Sequence, residues 1–239
     1  MTSEKLFETG RNEEYTCNYE DAYDYFLEAA HMGNVRAIER LAVFYLYGCG
    51  VSRSYEKAFM YLRKAFDLSG REWASYDISD CRPEIIGCEE GRAAYRGYLD
   101  YLLSQGCRNA YIYKADELRS GGVYSKDMDE AVRLLEEAFR LGENEAAGML
   151  AEIYFIGKNI EKDYEKAYRY LQMCKGNPFI KLYYLGEMHL NGICVEKNID
   201  AAVEYYRSIV DSDVSWKTID LYYELAGKRL DQIKSGKVN

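Results

Sequence analysis

The small and apolar residues of this chain recur with a long period. Alanine stands at Ala22, Ala58, Ala94, Ala131, Ala167 and Ala202, at spacings of 36, 36, 37, 36 and 35 residues. A second register, glycine followed four residues later by alanine, runs beside it as Gly33/Ala37, Gly70/Ala74, Gly106/Ala110 and Gly142/Ala146. Within each period the patterned positions fall three and four apart, the spacing of one helix face. Each period therefore predicts two antiparallel helices. The first carries a small residue, then a large one, then glycine: Leu41-Ala42-x-x-Tyr45-x-x-Gly48, Ala115-x-x-Leu118-x-x-Gly121, Ala151-x-x-Tyr154-x-x-Gly157 and Gly186-x-x-His189-x-x-Gly192. The small residue lets a neighbouring helix approach, the large one fills the core a turn later, and the glycine ends the helix.

The second helix has its own signature. Asn18, Ser54, Asp127, Asp163 and Asn198 stand four residues before its alanine, as N-caps. An acid follows each cap by two, Glu20, Glu56, Asp129, Glu165 and Asp200, where it complements the helix dipole. Aromatic or leucine pairs come next: Tyr25/Phe26, Tyr61/Leu62, Leu134/Leu135, Tyr170/Leu171 and Tyr205/Tyr206. Small residues or their substitutes complete the face at Ala29, Ala65, Ala138, Cys174 and Ile209.

These columns resemble the Sel1-like repeat, a relative of the tetratricopeptide repeat. The unit from Ala37 to Gly70 carries the resemblance best, through Leu41, Ala42, Tyr45, Gly48, Gly50, Val51, Lys57, Ala58, Tyr61, Leu62, Lys64 and Ala65. The stretch Asp163-Tyr164-Glu165-Lys166-Ala167-Tyr168-Arg169-Tyr170-Leu171 carries it again, and the resemblance covers roughly residues 18–210. The tetratricopeptide repeat itself fits less well, with a period of about 34 and an interrepeat proline that is absent here. The resemblance implies an all-α fold, a right-handed α/α superhelix (a solenoid) of about six helix-pair repeats. We divide it as an N-terminal half-repeat and helix over 1–36, repeats over 37–73, 74–109, 110–145, 146–180 and 181–213, and a capping helix over 214–239. In the first segment, Leu6-Phe7 and Gly10 read as half of a first helix. In the last, Ile219, Tyr222, Tyr223 and Leu225 hold first-helix phase, as a terminal cap would.

Three departures stand out. The second loop glycine, Gly50, is replaced by Val123, Asn159 and Cys194 in other units. The unit after Gly70 is degenerate in its first helix, Ala74 to Pro83, where the proline should stop or kink it. Pro178, by contrast, follows Asn177 and suits the first position of a helix.

Composition narrows the function. The 239 residues carry a formal charge of −9, against a general nucleic-acid binder. No apolar run approaches the roughly 20 residues of a membrane span, and the N-terminus shows no export signal. The seven cysteines form no CxxC pair; Cys81 and Cys88 are seven apart with nothing repeating that spacing, so reduced thiols of a cytoplasmic protein are expected. Gly48-x-Gly50-x-x-Arg53 lacks the third glycine and follows a helix, so it is a repeat turn and not a dinucleotide loop. Of the two histidines, His189 occupies the column of Tyr45 and Tyr154 as a core substitution, and His31 ends a helix. We expect no catalytic residue, metal or cofactor.

The resemblance implies a protein–protein interaction scaffold or adaptor, since members of the family commonly assemble complexes and take part in signalling. Some secreted, cysteine-rich relatives have been described as penicillin-binding with weak β-lactamase activity; the missing export signal and regular cysteine pairs speak against that here. Carried over from the tetratricopeptide fold, the concave lining is Arg36, Glu39, Val43, Leu46 and Tyr47; then Asn109, Ile112, Asp116, Arg119 and Ser120; then Glu145, Gly148, Glu152, Phe155 and Ile156; then Ile180, Tyr183, Glu187, Leu190 and Asn191. Asp116, Glu152 and Glu187 share one phase, which predicts an acidic groove for a basic, partly apolar peptide or protein segment. Self-association through an apolar N-terminal edge at Leu6 and Phe7 is a further expectation.

Overall fold

The computed structural model describes residues 1–70, 82–175, 178–212 and 220–237, which contain helices and turns and no strand. The helices are α1 (Ser3–Tyr15), α2 (Tyr19–His31), α3 (Val35–Tyr47), α4 (Tyr55–Ser69), α5 (Glu89–Ser104) and α6 (Arg108–Ser120). They continue as α7 (Met128–Arg140), α8 (Glu145–Ile156), α9 (Tyr164–Met173), α10 (Pro178–Asn191), α11 (Ile199–Val210) and α12 (Asp220–Lys234). Two compact units divide the chain: residues 1–110 with 120–126, and residues 111–119 with 127–239.

The alanine columns lie where neighbouring helices touch. Ala22, Ala58, Ala131, Ala167 and Ala202 are fully buried, as are Ala29, Ala138 and Ile209 of the second small column. Four second-helix caps act as expected: the side chains of Ser54, Asp127, Asp163 and Asn198 accept from Lys57 N, Glu130 N, Lys166 N and Ala201 N. Asn18 does not cap. Its amide donates instead to Glu13 Oε2 at 2.9 Å.

In two of the pairs tyrosines stack across the helices. Tyr45 lies on Tyr61 at 5.7 Å and Tyr154 on Tyr170 at 6.0 Å, with Lys57 and Lys166 over the outer ring faces. His189 takes the same place and stacks on Tyr205 at 5.5 Å. The column's histidine is thus a packing residue.

The first unit corrects the sequence reading at its start. α1 is a full helix of 13 residues and pairs with α2. Leu6 and Phe7 are 1% exposed, and Phe7 packs on Phe26 at 5.7 Å, which in turn meets Phe44 at 5.4 Å. The apolar edge expected there is buried within the unit. In the degenerate unit, residues 71–81, including Ala74 and Cys81, lie outside the described residues. Pro83 sits in the first turn of a short helical segment, 82–87, and so begins a helix where a break was expected. α5 is rotated relative to the column: Gly91, Tyr95, Tyr98 and Leu102 are buried and Ala94 is not. Pro178 opens α10 as expected.

The turn after α3 shows why one glycine is fixed. Gly50 has φ +64°, and a β-carbon there would stand 2.5 Å from the Tyr19 carbonyl oxygen and 2.9 Å from Glu20 N. The turn of one repeat thus rests on the backbone that opens the second helix of the repeat before. Asn159 and Cys194 keep the left-handed conformation at this column, whereas Val123 does not and is buried. Gly50→Ala combines left-handed strain with a backbone clash that no side chain can relieve. We expect it to destabilise the first unit by about 2–4 kcal/mol, read as faster amide exchange in α1–α4; exchange unchanged from the parent would refute the contact.

Candidate interaction site

In α8 and α10 the residue following the small column, Glu152 or Glu187, sits at the edge that faces the neighbouring first helices. In the second unit this edge is filled with the protein's own polar groups. Glu152 of α8 lies at the centre. Its Oε2 accepts from Arg119 Nη2 of α6 at 3.2 Å, and its Oε1 accepts from the hydroxyls of Tyr184 of α10 and Tyr222 of α12, both at 3.1 Å. One carboxylate therefore ties four first helices together. Glu187 of α10 is 5% exposed and is held side-on by Arg229 of α12: Nε donates to Oε1 at 2.6 Å and Nη2 to Oε2 at 2.8 Å. The Tyr206 hydroxyl donates to the same Oε1 at 2.8 Å.

The electrostatics follow from this geometry. Burial first, and then the adjoining Glu152, push the Tyr184 and Tyr222 phenols well above the usual tyrosine range. Burial and Glu187 do the same to Tyr206. The hydrogen bond to Glu187 holds Arg229 further into its charged form.

This arrangement alters the acidic column expected from sequence. Of its three members only Asp116 is exposed, at 57% of its side chain, with Arg119 one turn on at 3.9 Å. Glu152 and Glu187 are neutralised from within. Tyr183 is buried against Tyr206 and Tyr222, and Phe155 packs on Tyr164 and Tyr184. Glu145 is exposed at the start of α8. The second unit thus brings Arg119, Glu152, Tyr183 and Glu187 into a closed network and leaves Asp116 and Glu145 outside it. The residues that close it, Tyr222 and Arg229, were not singled out in the sequence as partners of these acids.

In the first unit, α1 and α3 lie side by side. Arg36 pairs with Glu4 at 2.8 Å and Glu8 at 3.2 Å, and its guanidinium covers Phe7 at 4.1 Å. Arg40 pairs with Glu14, which also lies 3.9 Å from Arg11. Tyr15 ends α1 at 90% exposure, and Tyr47 ends α3 at 38%. Arg11, Glu14, Tyr15 and Arg40 line a small cleft. Glu39 and Asn109 are half-buried. Sequence reasoning missed Arg11, Glu14, Tyr15 and Arg40 because it read α1 as half a helix. The signal was present: Glu4, Glu8, Arg11 and Tyr15 repeat the 4-3-4 spacing of Arg36, Arg40, Val43 and Tyr47.

Among the described residues no group of three or more His, Cys, Asp or Glu side chains converges on a metal position. Cys17, Cys49, Cys88, Cys174 and Cys194 are free thiols. No described helix is long and apolar enough to cross a membrane.

The Sel1 repeat profile matches residues 5–34, 35–69, 115–143, 144–173 and 182–212, more than half of the chain. The chain belongs to the Sel1-repeat family. A match also begins at residue 5, in keeping with a complete α1. An uncharacterized Sel1-like repeat-containing protein of Schizosaccharomyces pombe is 26% identical over 197 residues, 76% of this chain and 30% of that relative. A protective antigen of uropathogenic Escherichia coli, c5321, displays an SLR fold and superposes with TM-score 0.57 at 19% identity, over 85% of this chain and 44% of the antigen. A Sel1 repeat protein from Oxalobacter formigenes superposes with TM-score 0.54 at 20% identity, over 82% and 79% of the two chains. These two likenesses establish the fold. The chain spans about a third of the length of the yeast relative and less than half of the antigen. Sel1-repeat proteins serve in general as protein-interaction scaffolds.

Proposed function

We propose that this Sel1-repeat chain is a non-enzymatic scaffold that engages a partner protein on the first-helix face of its first unit. The observation that carries this is the contrast between the two units. In the second, the inner edge is closed by Glu152, Glu187 and their partners. In the first, Tyr15 stands exposed at the rim of a charged cleft, and Tyr47 is exposed at the end of α3. Tyrosine and arginine are the residue types that dominate interface energetics, because each joins a broad apolar surface to a polar end. The pairing of Glu152 and Glu187 removes the main ground for a basic partner; the charge of the first-unit cleft favours a different one.

Site-specific photo-crosslinking tests the reading. With p-benzoylphenylalanine at Tyr15 or Tyr47, a discrete adduct is expected in cells, to be identified by mass spectrometry. The same group at Met60, exposed on the second helix α4, is expected to give none. Equal labelling from all three positions would overturn the assignment of the face.

A further inference from the structure

The cleft between the end of α1 and the middle of α3 contains an arginine that is incompletely used. Arg40 meets Glu14 through Nη2. Its Nε is buried and has no acceptor. A guanidinium is best satisfied side-on, with Nε and one Nη matching both oxygens of a carboxylate. Arg229 achieves that geometry with Glu187 elsewhere in the chain. Glu14, reaching across from α1, engages one end only. It also lies 3.9 Å from Arg11 Nε, a loose approach short of a hydrogen bond. Within the cleft's lining two cations share one anion, leaving one positive charge in excess there. Arg36 cannot serve, since Glu4 and Glu8 already hold it.

We infer that this cleft receives a carboxylate carried by the partner, and that Glu14 is a built-in placeholder for it. The incoming group takes the place of Glu14 on Arg40 Nη2 and then reaches side-on to Nε, which this exchange has to uncover. Glu14 then swings to Arg11, closing the 3.9 Å gap, so that two cations end with two anions. A single negative charge balances the cleft, whereas a phosphate dianion would overfill it. Tyr15, 90% exposed at the cleft's rim, supplies an apolar wall for the chain bearing the carboxylate. Two sources offer the same chemistry, an Asp or Glu side chain and a C-terminal carboxylate.

The inference deepens the reading of the first-unit face, and its test needs no partner, so the two fail separately. The full chain, labelled with 15N in arginine, is titrated with three probes: acetyl-Tyr-Glu-amide, acetyl-Tyr-Ala with a free carboxylate, and neutral acetyl-Tyr-Gln-amide. Saturable movement of the Arg40 and Arg11 Nε–Hε signals by a charged probe, with Arg36 and Arg229 still and the neutral probe silent, is the expected result. Whichever charged probe binds tighter identifies the source. Glu14→Gln removes the placeholder and is expected to tighten binding about tenfold. Arg40→Lys keeps the charge, loses the fork, and is expected to weaken binding about tenfold. Equal response to the neutral probe, no movement at Arg40, or unchanged binding in Glu14→Gln would each overturn the proposal. A crosslinked partner that binds Arg40→Lys as well as the parent would leave the face intact and remove the carboxylate.

Discussion

Replacing Arg229 with methionine is expected to destabilise the second unit by about 3–5 kcal/mol. The substitution keeps the apolar stem but strands Glu187, whose side chain is 6% exposed, without its counter-charge. Water cannot reach the carboxylate to compensate, and the Tyr206 hydroxyl alone cannot neutralise it. Glu187→Gln should cost less. It strands Arg229, which is 34% exposed and can turn towards solvent, and the amide oxygen still accepts from Tyr206. The double change Arg229→Met with Glu187→Leu should recover part of the loss, because no charge then remains buried. Urea unfolding followed by amide exchange in α10 and α12 would rank the three. Arg229→Met and Glu187→Gln equal, and both below about 1 kcal/mol, would show the pair to be a surface ion pair in effect.

Alkaline unfolding is the second large effect. An unfolded tyrosine ionises near pH 10, about its ordinary value. In the folded chain burial pushes Tyr170 up to about 12, and Tyr23, Tyr124, Tyr184, Tyr206 and Tyr222 higher still. Each phenol therefore stays protonated in the folded state at pH values where the unfolded state has released its proton. The stabilisation from these groups is complete below about pH 10 and is lost as pH rises towards the folded values. Because six tyrosines act in the same window, the loss should be steep. Solvent-exposed tyrosines should ionise gradually at about pH 10, and the remaining tyrosinate absorbance should rise above that pH together with the loss of helical circular dichroism. Ionisation of the full complement of tyrosines centred at about 10 with helicity intact would contradict it.

The legible parts of this fold were those governed by local spacing. Small residues at 36-residue intervals mark helix contacts because each repeat meets its neighbour the same way, and Ala58, Ala131, Ala167 and Ala202 are fully buried accordingly. Ala94 failed because α5 is turned to bury Gly91 and Tyr95 instead. α1 was read as half a helix since it buries one narrow stripe, Leu6, Phe7 and Gly10, and its other faces are polar. The acidic column had the right phase and the wrong consequence. Phase places Glu152 and Glu187 on one edge, but their partners come from Tyr222 and Arg229, 70 and 42 residues further on. Side chains that reach past an adjacent helix leave no periodic trace.

Glu152 also bears on how such a chain can change in length. An array held only by nearest neighbours can gain or lose a whole module, because each junction resembles the next. Here one carboxylate joins α6, α8, α10 and α12. Excising the module between α8 and α12 would bring Tyr222 one step closer and remove Tyr184; duplicating it would carry Tyr222 out of reach. Either event leaves the carboxylate short of a donor. The parts of the second unit are therefore not interchangeable in the way those of a nearest-neighbour array are.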